Sequence, residues 1–363
     1  MTAAVGPHDV TGVTTPRPVP ITLLTGFLGA GKTTVLNGLL RDPGMAGAAV
    51  VVNEFGEIGL DHLLVRASRE NVVLLDSGCL CCTINNSLRE TLAELWVGRV
   101  RAEIPCFDRV LVETTGLAEP APILQAITRD PFVREHFRLD GVVTCVDALH
   151  AVAQLDRQPE AARQVAVADR LLLTKTDAAA PGVVDAVRAR LHALNPAAPV
   201  LEVVRGEIAP QQVLGAGLYN PRKQALDVPR WLAESAYRDA AHEHAPSRHG
   251  ERIRAHCLRV DHAVSWAGLA AWCELLARAH GEDLLRVKGL VGIAETGKPV
   301  VVHGVHRVFD RPLPLDDWPD GDRGGRLVVI CRDLDAAYLE RTLKVLELAP
   351  GAGCPASLAE AIA

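Results

Sequence analysis

The sequence predicts an α/β protein, with a doubly wound, mainly parallel sheet followed by a smaller C-terminal α+β domain. Short apolar runs alternate with helical segments from residue 18 to residue 220, a pattern typical of parallel βαβ units. A glycine-rich loop joins the first apolar run to the first helix, as in sheets that bind phosphates at the carboxyl ends of their strands. The length of 363 residues also indicates two domains, because one hydrophobic core seldom supports so long a chain.

The glycine-rich loop follows the predicted strand 21–24 and reads GFLGAGKT. It matches the P-loop pattern G-x-x-x-x-G-K-[ST], and residues 34–40 continue with the apolar spacing of a helix. The glycines allow backbone N–H groups to turn toward a phosphate at the positive end of that helix. Lys32 is expected to reach the β- and γ-phosphates, and the Thr33 hydroxyl to ligate Mg²⁺. The predicted nucleotide-binding residues of this loop are Gly26, Gly29, Ala30, Gly31, Lys32, Thr33 and Thr34.

A second part of the predicted site follows the apolar strand 109–112, which delivers Glu113 and then Thr114-Thr115-Gly116. An acid at the end of such a strand beside a P-loop orients Mg²⁺, and the length of Glu suggests that a water lies between its carboxylate and the ion. Glu113 is therefore predicted to act in catalysis with Lys32 and Thr33. Gly116 is expected to bring a backbone N–H near the γ-phosphate.

The base of the nucleotide is predicted to be read after the strand 170–173, where the sequence is Thr174-Lys175-Thr176-Asp177. GTPases use N-K-x-D at this place, because the Asp carboxylate accepts two N–H groups that only guanine offers. Asp177 is assigned this role, and the stem of Lys175 is expected to pack on the ring. Thr174 replaces the usual Asn, which predicts a less well braced loop and a weaker preference for GTP. A solvated loop is the alternative.

Three of the nine cysteines lie within four residues, at Cys79, Cys81 and Cys82. Thiolates bind zinc, cobalt or copper far better than Mg²⁺. The sequence has no second pair of this kind, so the interpretation is an incomplete site whose fourth ligand is Glu54, a histidine, water or a partner. Such an open site suits metal transfer better than permanent structural stabilisation. A redox-active thiol cluster and inert buried cysteines are the alternatives.

Two other polar groups are weaker metal candidates. The loop after the strand 48–53 carries Glu54, Glu57 and Asp61, which could contact Mg²⁺ or a transition metal or could form a solvated acidic loop. A polar tract further on holds three histidines, which could bind metal loosely or be solvated. They are His242, His244 and His249. His303 and His306 are predicted to face opposite sides of a strand and to be structural.

The predicted organisation is a disordered lead at 1–17, a nucleotide-binding domain at 18–220, a linker at 221–251, a second domain at 252–348 and a tail at 349–363. In the first domain, further strands are predicted at 71–75, 141–147 and 199–204, and helices at 84–100, from Pro120, and at 181–194. The second domain is expected to hold the alternating segment 253–260, the segment 284–290, strands 299–306 and 326–331, and helices 266–280 and 334–348.

The composition excludes several classes of protein. Apolar residues at 48% and charged residues at 23% describe a soluble globular chain. A formal charge of −6 argues against a general nucleic-acid or anionic-membrane surface. The sequence contains no apolar run of membrane-spanning length and no signal-type N-terminus, and its odd number of cysteines is unlike a secreted disulfide framework. We therefore expect a cytoplasmic protein.

Five motifs in this order, TGFLGAGKTT, VNEFGEIGLD, GCLCC, ETTG and TKTD, are followed by a domain containing LLRVKG. The combination resembles the CobW-type P-loop GTPases, which include cobalamin-biosynthesis proteins, nitrile hydratase activators and zinc metallochaperones. The resemblance covers about residues 20–348 and implies GTP hydrolysis coupled to moving Zn²⁺ or Co²⁺, with Cys79, Cys81 and Cys82 as ligands. It also implies that Glu54 helps to bind the metal. The sparse histidine tract departs from relatives with long ones and does not favour metal storage.

The functional hypothesis is a GTP-hydrolysing metallochaperone. Mg²⁺ and GTP would hold the loop 54–61, preorganise the cysteine site, and release the metal to a client metalloprotein or metal-cofactor enzyme after hydrolysis. Neither a catalytic glutamine nor an arginine finger can be assigned from the sequence, so slow turnover is expected, which a client or a homodimer partner could accelerate. The alternatives are a nucleotide-dependent metal sensor or buffer and a small-molecule P-loop kinase.

Overall fold

In a computed structural model of the protein, the described residues are 18–52, 84–215, 253–319 and 321–347. They form a six-stranded parallel sheet with helices and a separate antiparallel sheet. The predicted fold class is therefore confirmed. Within these residues, no helix is both long enough and apolar enough to cross a membrane.

The parallel sheet has the strand order β2-β3-β1-β4-β5-β6, with β1 at its centre. Strands β3 and β4 both pair with β1 in parallel, so the carboxyl ends of all three meet at one edge. The strands are nearly all apolar, as expected of a sheet that is buried on both faces. Their bounds are β1 Val19–Gly26, β2 Ala48–Val52, β3 Arg109–Glu113, β4 Phe137–Asp147, β5 Arg170–Thr174 and β6 Val200–Val203.

Helices cover the two faces of this sheet unequally. On one face, the first helix packs Val35, Leu36 and Leu39 against the strands. The remaining larger helices lie on the other face, where their apolar side chains form the main core. The bounds are α1 Lys32–Leu40, α2 Ile84–Val100, α3 Pro120–Arg129, α4 Pro131–His136, α5 Ala151–Arg157, α6 Pro159–Ala166, α7 Pro181–Leu194 and α8 Pro210–Val213.

The second domain is an antiparallel sheet of order β10-β9-β8-β12-β7, with β11 paired to β9. Two helices accompany it, and a 3₁₀ turn, Leu343–Glu347, follows the second. The bounds are β7 Ile253–Val260, α9 Trp266–His280, β8 Leu284–Gly292, β9 Pro299–Val305, β10 Val308–Phe309, β11 Leu313–Pro314, β12 Gly325–Arg332 and α10 Ala336–Thr342.

Strand β12 shows how the two domains share a core. Successive side chains of a strand point to opposite faces. Leu327 and Val329 pack into the core of the second domain, around Trp272 of α9. Val328 and Ile330 instead join the main core of the first domain. The second sheet is therefore buried on both faces, one against its own helix and the other against the nucleotide-binding domain.

The predicted elements occur at their expected places with small shifts. The closing helix was expected from Leu334, but α10 begins at Ala336 because the Asp335 side chain accepts a hydrogen bond from the Tyr338 N–H and caps it. The prediction of that start was wrong by two residues. His306 lies beyond the end of β9, in a left-handed conformation with φ of 51°, so it is not on the strand face predicted for it. The predicted strand 71–75 lies outside the described residues.

Candidate nucleotide-binding site

The P-loop leaves the carboxyl end of β1 in conformations that require glycine. Gly26 has a φ of 140°, and a Cβ atom there would overlap the carbonyl oxygen of Cys145 on β4. Gly31 has a φ of 83°, in the left-handed region, and its carbonyl accepts the Val35 N–H at 2.9 Å to begin α1. The loop therefore lies close to the sheet edge, with the amino end of α1 directed toward it.

Lys32 and Thr33 are the first two residues of α1. The buried Lys32 ammonium donates to the carbonyls of Gly26 at 2.9 Å and Phe27 at 3.2 Å, so its side chain spans the loop. The Thr33 hydroxyl donates to Glu113 Oε1 at 2.8 Å. The structure thus brings together the three residues predicted to be catalytic. Hydroxyl and carboxylate oxygens are the ligands that Mg²⁺ prefers, so this donor pair fits a magnesium ion.

The segment after β3 lies directly on the P-loop. Thr114 donates its hydroxyl to Thr25 Oγ1 at 2.8 Å and its N–H to the Leu24 carbonyl at 3.0 Å. A Cβ atom on Gly116 would lie 2.6 Å from the backbone nitrogen of Leu28, too close for any side chain. We call residues 114–119 the switch segment. Its close approach explains glycine at position 116 without any unusual backbone angle.

Thr174 links the end of β5 to the P-loop. Its hydroxyl, at the end of β5, contacts the carbonyl oxygens of Ala30 at 2.9 Å and Val146 at 3.1 Å. The threonine side chain therefore ties β5 to the P-loop, and the expectation that Asn would brace the loop better stays a prediction. The strength of the preference for GTP stays a prediction.

Lys175 and Asp177 follow this brace. Lys175 has a left-handed backbone, with φ of 57°, and its ammonium lies 2.7 Å from Asp147 Oδ2. Burial alone would raise the pKa of Asp147, but hydrogen bonds from Lys175, His150 and the Leu149 N–H outweigh it, so the pKa is lowered and the carboxylate stays charged. The Asp177 side chain is 41% exposed and its Oδ2 lies 3.9 Å from Arg205 Nε, so this carboxylate is accessible to a ligand.

Two glycines join α1 to the loop after β6. A Cβ atom on Gly38 of α1 would overlap the carbonyl oxygen of Gly206, which lies in the loop after β6. A Cβ atom on Gly206 would in turn overlap the Thr34 carbonyl oxygen. Gly206 also has a φ of 79°. The two backbones are therefore in direct contact, next to Arg205.

Comparison with known protein families identifies the family of this chain. The profile of the CobW/HypB/UreG nucleotide-binding domain matches residues 20–202, and that of the cobalamin synthesis protein cobW C-terminal domain matches residues 253–347. The chain belongs to the CobW/HypB/UreG family. It is a P-loop GTPase of this family.

Two curated relatives of this GTPase cover nearly its whole length. Zinc chaperone YjiA of Escherichia coli K12 is 34% identical over 318 residues, which are 86% of this chain and 94% of the relative. Zinc chaperone CobW of Pseudomonas aeruginosa PAO1 is 34% identical over 362 residues, covering 90% of this chain and 91% of the relative. The crystal structure of Zn(II)-bound YjiA GTPase from E. coli superposes with a TM-score of 0.67 at 26% identity, covering 92% of this chain and 100% of that one.

The predicted transition-metal ligands of this GTPase, Cys79, Cys81, Cys82 and Glu54, lie outside the described residues, as do His242, His244 and His249. Within the described residues, no three His, Cys, Asp or Glu side chains come together as a metal site. Cys145 lies beneath the P-loop, where burial raises the pKa of its thiol to about 12. This thiol is therefore inert at neutral pH.

Sequence reasoning missed two polar residues near the site of this GTPase. Asp147 ends β4, and the same signal that identified Glu113, an acid at the end of a strand beside β1, could have found it. Gln164 lies on α6, and its side chain donates to the carbonyls of Gly116 and Ala118 in the switch segment. No local pattern marks a glutamine in the last turn of a helix, so Gln164 could be found only from the folded structure.

Proposed function

We propose that the chain is a GTP-hydrolysing zinc metallochaperone. In this proposal Cys79, Cys81 and Cys82 bind Zn²⁺, with Glu54 as a further ligand, and the ion passes to a client metalloprotein or metal-cofactor enzyme when GTP is hydrolysed. Co²⁺ is the alternative cargo, because thiolate ligands accept it as well.

One observation carries the proposal, and it concerns the end of β2. Val52, its last residue, pairs with Glu113 in parallel register. Glu113 in turn accepts the hydrogen bond of Thr33. The chain therefore enters the segment 53–83, which contains Glu54 and the three cysteines, beside the residues proposed to hold Mg²⁺ and the phosphates. A change at the γ-phosphate thus acts next to the start of the segment that carries the metal ligands.

For hydrolysis, we propose that Lys32 binds the β- and γ-phosphates and that Thr33 and Glu113 hold Mg²⁺. When bound, the ion would neutralise negative charge on the phosphate oxygens. The N–H of Gly116 binds the γ-phosphate, and Asp177 accepts the N–H groups of guanine. The accessible carboxylate of Asp177 and the contact between Thr33 and Glu113 support these roles.

The zinc cargo is supported by the relatives. YjiA and CobW are named zinc chaperones, and a relative from Schizosaccharomyces pombe, 28% identical over 354 residues, is named a zinc-regulated GTPase metalloprotein activator. A crystal structure of YjiA is of a triple mutant in which one glutamate and two neighbouring cysteines were replaced by alanine. That variant is also Zn(II)-bound, so an affinity measurement is needed to identify the ligands here.

The test of the metal site is a competition titration of Zn²⁺ with a chromophoric chelator, on protein loaded with a non-hydrolysable GTP analogue or with GDP. We expect Cys81→Ala and Cys82→Ala each to weaken zinc binding at least about tenfold. The matched control is Cys106→Ala, which removes an exposed thiol of the described structure and should leave the affinity unchanged. Unchanged affinity in the two cysteine variants would overturn the assignment of the ligands.

The same titration tests delivery. The proposal requires zinc affinity to differ at least about tenfold between the two nucleotide states, because a ligand can shift an equilibrium only by its differential affinity. Equal affinity in both states would leave a metal-binding GTPase that does not use the nucleotide for release. Single-turnover hydrolysis of GTP completes the test: phosphate appearing on an acceptor other than water would indicate a kinase, and no hydrolysis would indicate a sensor.

A further inference from the structure

The switch segment is held from behind by a buried side chain of α6. Gln164 is fully buried, and its Nε2 donates to the Gly116 carbonyl at 3.1 Å and the Ala118 carbonyl at 3.0 Å. The preceding residue, Arg163, donates to Glu119. Two consecutive side chains of one helix therefore hold the carbonyls and the acid of the segment whose N–H is proposed to meet the γ-phosphate.

Gln164 itself is fixed in place. Its backbone carbonyl accepts the hydroxyl of Thr144, on β4, at 2.8 Å. Its Oε1 is buried and has no hydrogen-bond partner within the described residues. The orientation of the side-chain amide is thus set by its Nε2 donating to two carbonyls, a contact that a carboxylate or an apolar side chain could not replace.

The second domain binds the carboxyl end of α6, close to Gln164. The guanidinium of Arg286, on β8, donates to the Val167 carbonyl and to Asp169. Lys288 Nζ lies 3.3 Å from the same carboxylate, and all three charged side chains are at most 8% exposed. We call Asp169, Arg286 and Lys288 the interdomain cluster. Asp169 also accepts the Val142 N–H at 3.0 Å, which anchors this cluster to the parallel sheet.

The distance between the two sets of contacts is short. Val167 follows Gln164 by three residues, which is about 4.5 Å along a helix. A shift of the second domain must therefore either move the carboxyl end of α6 or separate buried charges, and separating buried charges is strongly unfavourable. A movement of α6 displaces Gln164, and the displaced Gln164 in turn shifts Gly116.

We propose that Gln164 is a positioning residue for the switch segment and that the second domain acts on GTP hydrolysis through α6. Any partner that alters how the second domain sits on α6 then alters the rate of hydrolysis. The inference concerns the GTPase activity alone and does not depend on the metal that the protein carries.

The test is a double-mutant cycle on single-turnover hydrolysis, with GTP affinity measured in parallel. Gln164→Leu keeps the volume and removes both hydrogen bonds, and we expect it to slow hydrolysis about tenfold with GTP affinity within about twofold. Lys288→Met, in the interdomain cluster, should slow hydrolysis about threefold in the wild-type background but have no further effect in the Gln164→Leu background.

The cycle separates coupling from damage to the fold. If both residues are purely structural, the fold-changes in hydrolysis rate should multiply and the losses in unfolding free energy should add. The proposal also predicts that the losses in unfolding free energy add, but that the fold-changes in rate do not multiply. Multiplying rates, or an unchanged rate in Gln164→Leu, would overturn it. Arg286→Met perturbs the same cluster more strongly and is added to the cycle if this variant folds. If it does not fold, the cycle with Lys288→Met still decides between the two roles.

Discussion

The two edges of the parallel sheet use charged residues in opposite ways. At the carboxyl edge, Lys175 and Asp177 are each about 40% exposed, beside the partly buried contact between Thr33 and Glu113. At the amino end of β5, Asp169 is closed off from water by Arg286 and Lys288 of the second domain. The first arrangement leaves groups available to a ligand, and the second pairs the Asp169 carboxylate with two cations inside the protein.

The difference in exposure between the two edges determines what each set of charges can do. Exposed groups at the carboxyl edge keep their contact with water in the free protein and can exchange that water for a ligand. The interdomain cluster holds the pKa of Asp169 to about 2: its burial would raise the value, but Arg286, Lys288 and His303 and the hydrogen bond from Val142 lower it. Its charges therefore fix the position of one domain on the other rather than bind a ligand.

The largest effect is expected from breaking the closed edge. Arg286→Met would leave Asp169 buried with less than its full compensation, so the free energy of unfolding should fall by about 3–5 kcal/mol. Urea denaturation followed by circular dichroism measures this. The matched control is Arg278→Met, which removes an arginine that is 76% exposed and pairs with Glu274 on α9. It should change stability by less than about 1 kcal/mol, and an equal loss in both variants would contradict the comparison.

Breaking the open edge should affect activity and leave the fold intact. Thr33→Val keeps the shape of the side chain and removes the hydroxyl that donates to Glu113. We expect single-turnover GTP hydrolysis to slow by about 10²–10³-fold, because Thr33 is proposed to hold the ion at the phosphates. The control is Thr128→Val, which removes a hydroxyl bonded within α3 to the Leu124 carbonyl at 2.7 Å. A similar loss in the control would show that the effect is not specific to the site.

A smaller effect is expected from acid at the domain contact. Burial, together with the charges of Arg163 and Arg332, lowers the pKa of His306 from 6.5 to about 4, although a backbone hydrogen bond at Gly281 opposes this. The unfolded chain then takes up a proton between pH 6.5 and pH 4 that the folded chain does not, so stability falls as pH falls through this window. Between pH 7 and pH 5 the loss should be about 2 kcal/mol.

His306→Asn sharpens this prediction, because asparagine tolerates the left-handed backbone at this position. Urea titrations at pH 5, 6 and 7 should show a weaker pH dependence in the variant by about 2 kcal/mol over the range. The same pH dependence in both proteins would assign the acid sensitivity to other groups.

The sequence predicts the open edge far better than the closed one, for a physical reason. Lys32, Thr33 and Glu113 each follow an apolar strand, and parallel strands bring their carboxyl ends together, so local patterns suffice to bring these residues to one place. Arg286 and Asp169 lie 117 residues apart in the chain. Nothing in either local sequence predicts their contact, which depends on how the second sheet packs on α6.

Thr174 illustrates a second limit of the sequence. The motif shows only that Asn is replaced, whereas the structure shows the Thr174 hydroxyl bonded to Ala30 in the P-loop and to Val146 on β4. A motif position names a residue type, whereas the function of a short hydroxyl depends on which carbonyl it can reach. The ligands predicted at Glu54, Cys79, Cys81 and Cys82 stay predictions.

The contact between Gly38 and Gly206 has a consequence for how the protein distinguishes GTP from GDP. Because two backbones meet there with no side chain between them, the separation between α1 and the loop after β6 cannot change by a change of rotamer. We expect both nucleotides to be held in one frame, so that their whole difference is felt at the outermost phosphate, where the switch segment lies.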